Sequence, residues 1–426
     1  MAAPSNPLFA SQWYLDSGGN VDLNILPVWD PGSGAAYTGA GVSVLIFDDA
    51  VEIDPINGYV HSDLDRNYAR DDVTGGFLHL TIGGVTYAPE PIRDGTGVPD
   101  THGTQVAGVL AAENNDEGGV GVAYDITFTV APILHSDAQP DRVGALQRSE
   151  DFDITNHSWG YQTDFEDNFD AAGWSGFAAA LETSTTVGRG GLGTINVTSA
   201  GNDRQDGSDT NFHSFENSRF TITVAAADET GSIARYSRPG ANILVSGLSD
   251  DGAGNGQIVT TDLLGSDGEN SQTGSDGDYS HTFGGTSAAA PQVSSIVALM
   301  LEANPNLGWR DVQDILAYTA RHTGGAIGGG RRTGTNSTPG RSMVRPTGTS
   351  AACTTATTTV SGSSTPAPRC DWRRAGPCSR RRLTLSTAAP FHQVTCSRYS
   401  PCPTVAKPVT SSPTAARCAP RRRRSP

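Results

Sequence analysis

A chain of 426 residues with a formal net charge of −16 has room for one large domain or two smaller ones. That average hides two compositions: residues 1–330 hold 12 arginines, no lysine and 44 acids, a net of −32, whereas residues 331–426 hold 17 basic residues against the single acid Asp371, a net of +16. No run of about eighteen apolar residues occurs, which excludes a helical membrane span, and the opening Met-Ala-Ala-Pro-Ser-Asn-Pro shows neither the basic nor the apolar part of a secretory signal.

In chain order, Gln12 to Trp29 reads as an amphipathic entry segment and Val42 to Phe47 as the first core strand, because a continuous apolar run marks a strand buried on both faces. The run stops at Asp48-Asp49. A carboxylate at the end of a buried parallel strand lies where α/β folds place their sites. A loop containing Asp63 and Asp71-Asp72 follows, then a strand pair from Phe77 to Tyr87 around Gly83-Gly84. Asp100-Thr-His-Gly-Thr104 leads into Val106, Ala107, Val109, Leu110 and Ala111, which sets His102 at the start of a helix. Further strands are expected at Ile126 to Ile133, Ile154 to Trp159, Thr194 to Ser199 and Phe220 to Ala227, with a helix over Ala171 to Thr185 and a closing helix over Asn306 to Arg321. Strands alternating with helices at this spacing predict an α/β fold with a parallel sheet covered on both faces.

Gly284 to Pro291, Gly-Gly-Thr-Ser-Ala-Ala-Ala-Pro, opens the long apolar run Val293 to Ala303. Ser287 therefore sits at a helix N-terminus, where free N–H groups and the helix dipole favour negative charge. Alone, Ser287 would be a helix cap and His102 a structural histidine. Asp48, His102 and Ser287 in that order, each at the edge of a strand or helix, form a candidate Asp-His-Ser triad.

The sequence resembles the subtilisin-like serine proteases, and within them the kexin/furin branch, from about Asn6 to about Ala320. The resemblance is carried by Ser11-Gln-Trp-Tyr-Leu15, Asp48-Asp49, His61-Ser-Asp-Leu64, His102-Gly-Thr104 and Gly119-Val-Gly-Val-Ala-Tyr124. It continues through Ser158-Trp-Gly160, Gly188-Arg-Gly-Gly-Leu-Gly193, Ser199-Ala-Gly-Asn202, Val259-Thr-Thr-Asp262 and Gly285-Thr-Ser-Ala288. It implies a three-layer fold with a central, mostly parallel sheet between helices, and a serine endopeptidase acting on protein or peptide substrates. Ser287 would be the nucleophile, His102 the base, Asp48 its orienting partner and Asn202 the oxyanion donor. Ser158, Trp159 and Gly160, with Ser199, Ala200 and Gly201, would hold substrate backbone. A non-catalytic binding protein on the same fold would be expected to lack one of the four catalytic groups.

The resemblance also implies calcium, held around Asn6, Asp63 and the loop from Glu113 to Gly119 with Asn115 and Glu117. Oxygen ligands of that kind suit a hard cation. Specificity departs from the branch: Thr163 stands where it places an acid for a basic P1 side chain, with Asp164 one place on, and Arg238 stands where it places a calcium-binding Glu. Arg238 is expected to pair with carboxylates such as Asp206 instead. Asp49 and Asp209 match acidic subsite positions, so a leaning toward basic residues is expected without strict dibasic cleavage. A secreted or extracytoplasmic monomer is expected by resemblance.

Residues 1–325 thus read as the catalytic domain and 326–426 as a basic tail. All six cysteines fall in that tail and no pair has CxxC spacing, which speaks against zinc. The abrupt change of vocabulary suggests a disordered segment or the product of a shifted reading frame in place of a β-sandwich P domain. Arg421 to Arg424 is unaccompanied by interleaved aromatics, so no nucleic-acid partner is expected.

Overall fold

The computed structural model describes residues 3–323, apart from 19–20, 31, 33, 55–58, 88, 92–99, 135–138 and 273–275, together with Thr354 and Thr355. The first compact unit spans Met1–Ser364. The expected tail from 326 onward otherwise lies outside the described residues, as does the whole second unit, Thr365–Pro426.

Six parallel strands run to one edge of an eight-stranded sheet: β1 (Ser43–Asp48), β2 (Thr127–Pro132), β3 (Ile154–His157), β4 (Ile195–Ser199), β5 (Thr221–Ala227) and β6 (Val245–Leu248). Their order across the sheet is β2-β1-β3-β4-β5-β6. Thr354–Thr355 adds in parallel to β6 and pairs antiparallel with Arg321–His322. The apolar runs become strands because both faces are covered. In β1, Val44 and Ile46 enter one core while Leu45 and Phe47 enter the other.

The first core is closed by α1 (His102–Ala111) and α4 (Gly285–Ala303), which pack on each other and on the sheet. The second is closed by α2 (Gln139–Gln147) and α3 (Ser175–Gly191), through Leu146, Phe177 and Leu181. At the end of α3, Gly188, Arg189 and Gly190 leave helical geometry. Arg189 there donates to the carbonyls of Pro305 and Leu307, fixing the entry to α5 (Trp309–Thr319).

Two further strands, β7 (Ile258–Thr261) and β8 (Tyr279–Phe283), pair antiparallel away from the main sheet. The hydroxyls of Thr260 and Thr261 donate to the carbonyls of Gln105 and Thr104, at 2.7 and 2.6 Å, and tie β7 along α1. A hairpin of Leu80–Ile82 with Val85–Tyr87 forms within the stretch expected to hold a strand pair. In the entry segment only Leu26–Trp29 is α-helical, and Gln12 and Trp13 tie its start to Val120, Gly256 and Gln257 of distant loops through side-chain bonds.

Candidate active site

β1 ends in Asp48, whose side chain is fully buried, and α1 begins at His102. His102 Nδ1 lies 2.7 Å from Asp48 Oδ1, so the carboxylate accepts one ring proton and fixes the tautomer that leaves Nε2 as acceptor. The ring is 33% exposed, edge-on to Phe283. Burial pulls the His102 pKa down, but the charge and hydrogen bond of Asp48, with the charges of Asp49 and Glu269, push it up to about 9.

Asp49 holds the same helix from outside. Thr101, at the N-cap, contributes no side-chain bond. Asp49 instead accepts from the backbone N–H of His102 at 3.2 Å and of Gly103 at 2.7 Å, besides that of Ala50 at 2.6 Å. A carboxylate against a helix N-terminus is favoured by dipole and hydrogen bonds alike. Burial and the Asp48 charge nevertheless raise its pKa to about 7. The carboxylate expected at an acidic subsite is thus committed to seating His102.

Ser287 lies in the first turn of α4. Gly285 N–H donates to Asp250 Oδ1 at 3.0 Å and Thr286 N–H to Asn202 Oδ1 at 2.9 Å; the N–H of Ser287 is the next of the four that a helix start leaves without an intrahelical partner. Asn202 Oδ1 also accepts from the Thr286 hydroxyl at 2.8 Å. With its oxygen held twice, the Asn202 amide turns its NH₂ toward the start of α4. A Cβ on Gly285, which has φ +74°, would come within 3.0 Å of that nitrogen. Glycine there leaves the donor room.

The Ser287 hydroxyl donates to the Ser158 carbonyl at 3.0 Å, and the Ser158 hydroxyl donates to the Ser287 carbonyl, also at 3.0 Å. Pro291 makes the second bond available: it has no N–H, so the carbonyl four residues earlier in α4 has no helical donor. Among the described residues no hydrogen bond joins Ser287 to His102. Such bonds commonly tighten only with substrate present.

The profile of the subtilase family matches residues 39–341. This chain is a subtilase. Furin-like protease 1 of Drosophila melanogaster is 36% identical over 313 residues, covering 72% of this chain and 26% of the relative. Human furin is 34% identical over 327 residues, covering 75% and 36%. The chain therefore spans well under half the length of these curated relatives. Among solved structures, the serine protease of Aeromonas sobria is similar with a TM-score of 0.62 and 26% identity, over 75% of this chain and 58% of that one. A protease from Pseudoalteromonas arctica shares the fold with a TM-score of 0.55.

In this subtilase Ser158, Trp159 and Gly160 follow β3, while Ser199, Ala200 and Gly201 end or follow the neighbouring β4, so parallel pairing alone sets the two segments side by side. Ser199 Oγ reaches the Trp159 carbonyl at 3.4 Å. Beyond them a cavity of about 410 Å³ is lined by Gln162, Asp164, Asp203, Asp206 and Ser208. Thr163 is exposed and outside that lining; Asp164 lines it, accepting from Ser208 Oγ at 2.7 Å. Asp209 caps the short turn Thr210–Phe212 through Asn211 N–H and likewise stays outside the lining. Arg238 is buried and paired as expected, but with Asp203 and Glu216 rather than Asp206, because those two carboxylates face its guanidinium from the loop after β4 and the segment before β5.

Near the N-terminus, Asn6 Nδ2 donates to the carbonyls of Glu113 at 2.9 Å and Gly119 at 2.7 Å, and meets the Glu117 carbonyl and Asn115 Oδ1 as well. The Glu113 side chain turns away, to Arg66. Asp63 Oδ2 accepts from the Tyr279 hydroxyl at 2.8 Å, while Asp63 Oδ1 and Asn6 Oδ1 are buried without a hydrogen-bond partner.

Sequence reasoning missed Thr286, Pro291 and Asp250. The proline inside an otherwise helical apolar run was the one available signal for a freed carbonyl. Because the Asp49 charge raises the His102 pKa, replacing it lowers that pKa: in an NMR titration of the Ser287→Ala protein, the His102 ring should titrate above the ordinary 6.5, and Asp49→Asn should move it toward lower pH. An unmoved titration would mean that the Asp49 charge does not reach the ring.

Proposed function

We propose that this subtilase is a serine endopeptidase using Asp48, His102 and Ser287, with Asn202 as oxyanion donor. The observation that carries the reading is the 2.7 Å bond from the half-open His102 ring to fully buried Asp48, at the mouth of a helix start that presents Ser287. After leaving the Ser158 carbonyl, Ser287 Oγ attacks the peptide carbonyl while His102 Nε2 takes its proton. Asp48 stabilises the imidazolium without itself being protonated. The oxyanion is met by Asn202 Nδ2 and the Ser287 N–H, each a donor oriented before reaction; in subtilisin, a member of this same family, loss of one such donor costs about 2.7–4 kcal/mol. His102 then returns the proton to the leaving amine, and water completes the second half-reaction by the same route.

Substrate backbone lies between the Ser158–Gly160 and Ser199–Gly201 segments as an added strand. The acidic cavity at their ends supports a leaning toward basic P1 side chains, with Asp164 and Asp206 as the acids not bound to Arg238. A secreted setting, where such substrates are met, fits furin-like relatives. Among the described residues no helix is long and apolar enough to cross a membrane.

Calcium fits the Asn6 region. Turned over, the Asn6 amide would put its partnerless oxygen among the Glu113, Glu117 and Gly119 carbonyls and Asn115 Oδ1, beside the partnerless Asp63 Oδ1, and only a cation makes that gathering of oxygens favourable. Bound there, it would tie the N-terminal segment to the loop after α1. We propose residues 1–325 as the catalytic domain on the same grounds.

Three outcomes test this. A fluorophosphonate should label the protein at Ser287, and Ser287→Ala should abolish both labelling and hydrolysis; robust turnover by the variant would sink the triad. In a peptide library, Asp164→Asn should lower the preference for Arg over Gln at P1 several-fold, in line with about 1 kcal/mol for a partly exposed charge pair. A preference unchanged by Asp164→Asn would place the basic pocket elsewhere. Excess chelator should lower Tm, as for any ligand bound only by the folded state, and calcium should restore it. An identical melting curve in metal-free protein would remove calcium from the account.

A further inference from the structure

Arg238 is 1% exposed and heads the fully buried side chains by size. A guanidinium that deep needs partners fixed in direction, and two of its partners, Tyr161 and Asp203, belong to the segments proposed to form the substrate cleft. Nη2 donates to the Tyr161 carbonyl at 2.7 Å, one residue beyond Ser158–Gly160, and pairs with Asp203 Oδ2. Nη1 lies 3.7 Å from Glu216 Oε1, in a carboxylate whose two oxygens are buried without a hydrogen bond.

The backbone of Arg238 contributes as well. Its N–H donates to the Gly201 carbonyl at 3.0 Å. Its side chain passes so close beneath Gly201, which has φ +92°, that a Cβ there would come within 2.7 Å of Arg238 Cζ and Nε. Asn202 is therefore gripped on both sides by one residue: Gly201 before it through a backbone bond and packing, Asp203 after it through an ion pair. Thr286 holds the amide oxygen of Asn202, and Arg238 holds the backbone that carries it.

We propose that Arg238 is a positioning residue for the oxyanion site, a built-in cation that keeps the Asn202 backbone and the Tyr161 end of the substrate segment in one fixed relation. It touches neither substrate nor reacting atoms. Its contribution is made through Asn202, and it rests on the reading of Asn202 as oxyanion donor. Glu216 supplies the opposite charge from the far side, so the guanidinium is held between two carboxylates and cannot swing toward the cavity.

The test is a double-mutant cycle in kcat and KM on one peptide substrate, using Arg238→Lys, Asn202→Ala and the pair. Lysine keeps the charge but has a single nitrogen on a stem without the planar fork, so Glu216, which faces Nη1, and Tyr161 and Asp203, which share Nη2, cannot all be held as before. Arg238→Lys should lower kcat about ten-fold or more with KM changed less than about two-fold, since small displacements of a catalytic group are costly in the transition state. In the Asn202→Ala background the same change should cost less than about two-fold, because the group being positioned is already gone. An equal fold-loss in both backgrounds, or a loss falling wholly on KM, would overturn the proposal. Full kcat in Asn202→Ala alone would instead overturn the oxyanion reading, and the proposal with it. If Arg238→Lys does not fold, Asp203→Asn carries the test from the better-exposed partner: the same non-additivity is expected, with Asp203→Glu recovering kcat and Asp203→Asn not. Additive losses there would equally refute it.

Discussion

The paired hydrogen bonds between Ser158 and Ser287 are the contact on which the site's geometry depends. They join the end of β3 to the first turn of α4, Ser158 and Ser287 being 129 residues apart in the chain, and Pro291, which withholds a helical N–H from the Ser287 carbonyl, leaves that carbonyl free for the Ser158 hydroxyl. A helix interior normally satisfies its own carbonyls. Here one is left over at Ser287, the proposed nucleophile, and the strand end claims it. The segment proposed to hold substrate and the proposed nucleophile are thereby held in register by the same pair of serines. The ground-state bond of Ser287 Oγ to the Ser158 carbonyl must break for reaction, at the modest net cost of one hydrogen bond, about 1 kcal/mol.

The acidic excess of residues 1–330 has a structural use at two helix starts. Asp49 satisfies the opening N–H groups of α1, and Asp250 takes the first N–H of α4 while itself accepting from the Tyr236 hydroxyl at 2.7 Å. Neither helix carries its own N-cap side chain. Each therefore depends on a carboxylate from another part of the chain, and each presents a proposed catalytic group, His102 or Ser287, in its first turn. With the dipole's positive end at both places, the buried negative charges of Asp48 and Asp49 are partly compensated by backbone, in a region, residues 1–330, that contains no lysine.

The strands were legible because both-face burial leaves an unbroken apolar run, and β1, β2, β4 and β5 fall within a residue or two of the runs that announce them. Asp48, His102 and Ser287, proposed here as a triad, stood out because they end or begin such runs. What escaped was of another kind. α2 is polar and contains Pro140, β6 is a short stretch interrupted by Ser246 and Gly247, and the β7–β8 pair is bridged by a long acidic connection, so none shows a sustained period. The closing helix proved shorter than expected, Trp309–Thr319, since Asn306 to Gly308 are spent on the turn and the N-cap that precede it.

Specificity was the least legible layer, for a physical reason. Position in a motif names a residue type, but which carboxylate meets which cation depends on how separate loops cross. Thr163 and Asp209 sit at motif positions outside the cavity's lining, while Asp164, Asp203 and Asp206 reach it because the loops after β3 and β4 leave adjacent parallel strands together. Arg238 then selects among them. By pairing with Asp203 it offsets that charge in the cavity wall and leaves Asp164 and Asp206 as the lining acids not bound to it. On the proposed reading a single buried arginine couples rigidity of the oxyanion segment to the charge presented to P1, and substitutions that change one should change the other.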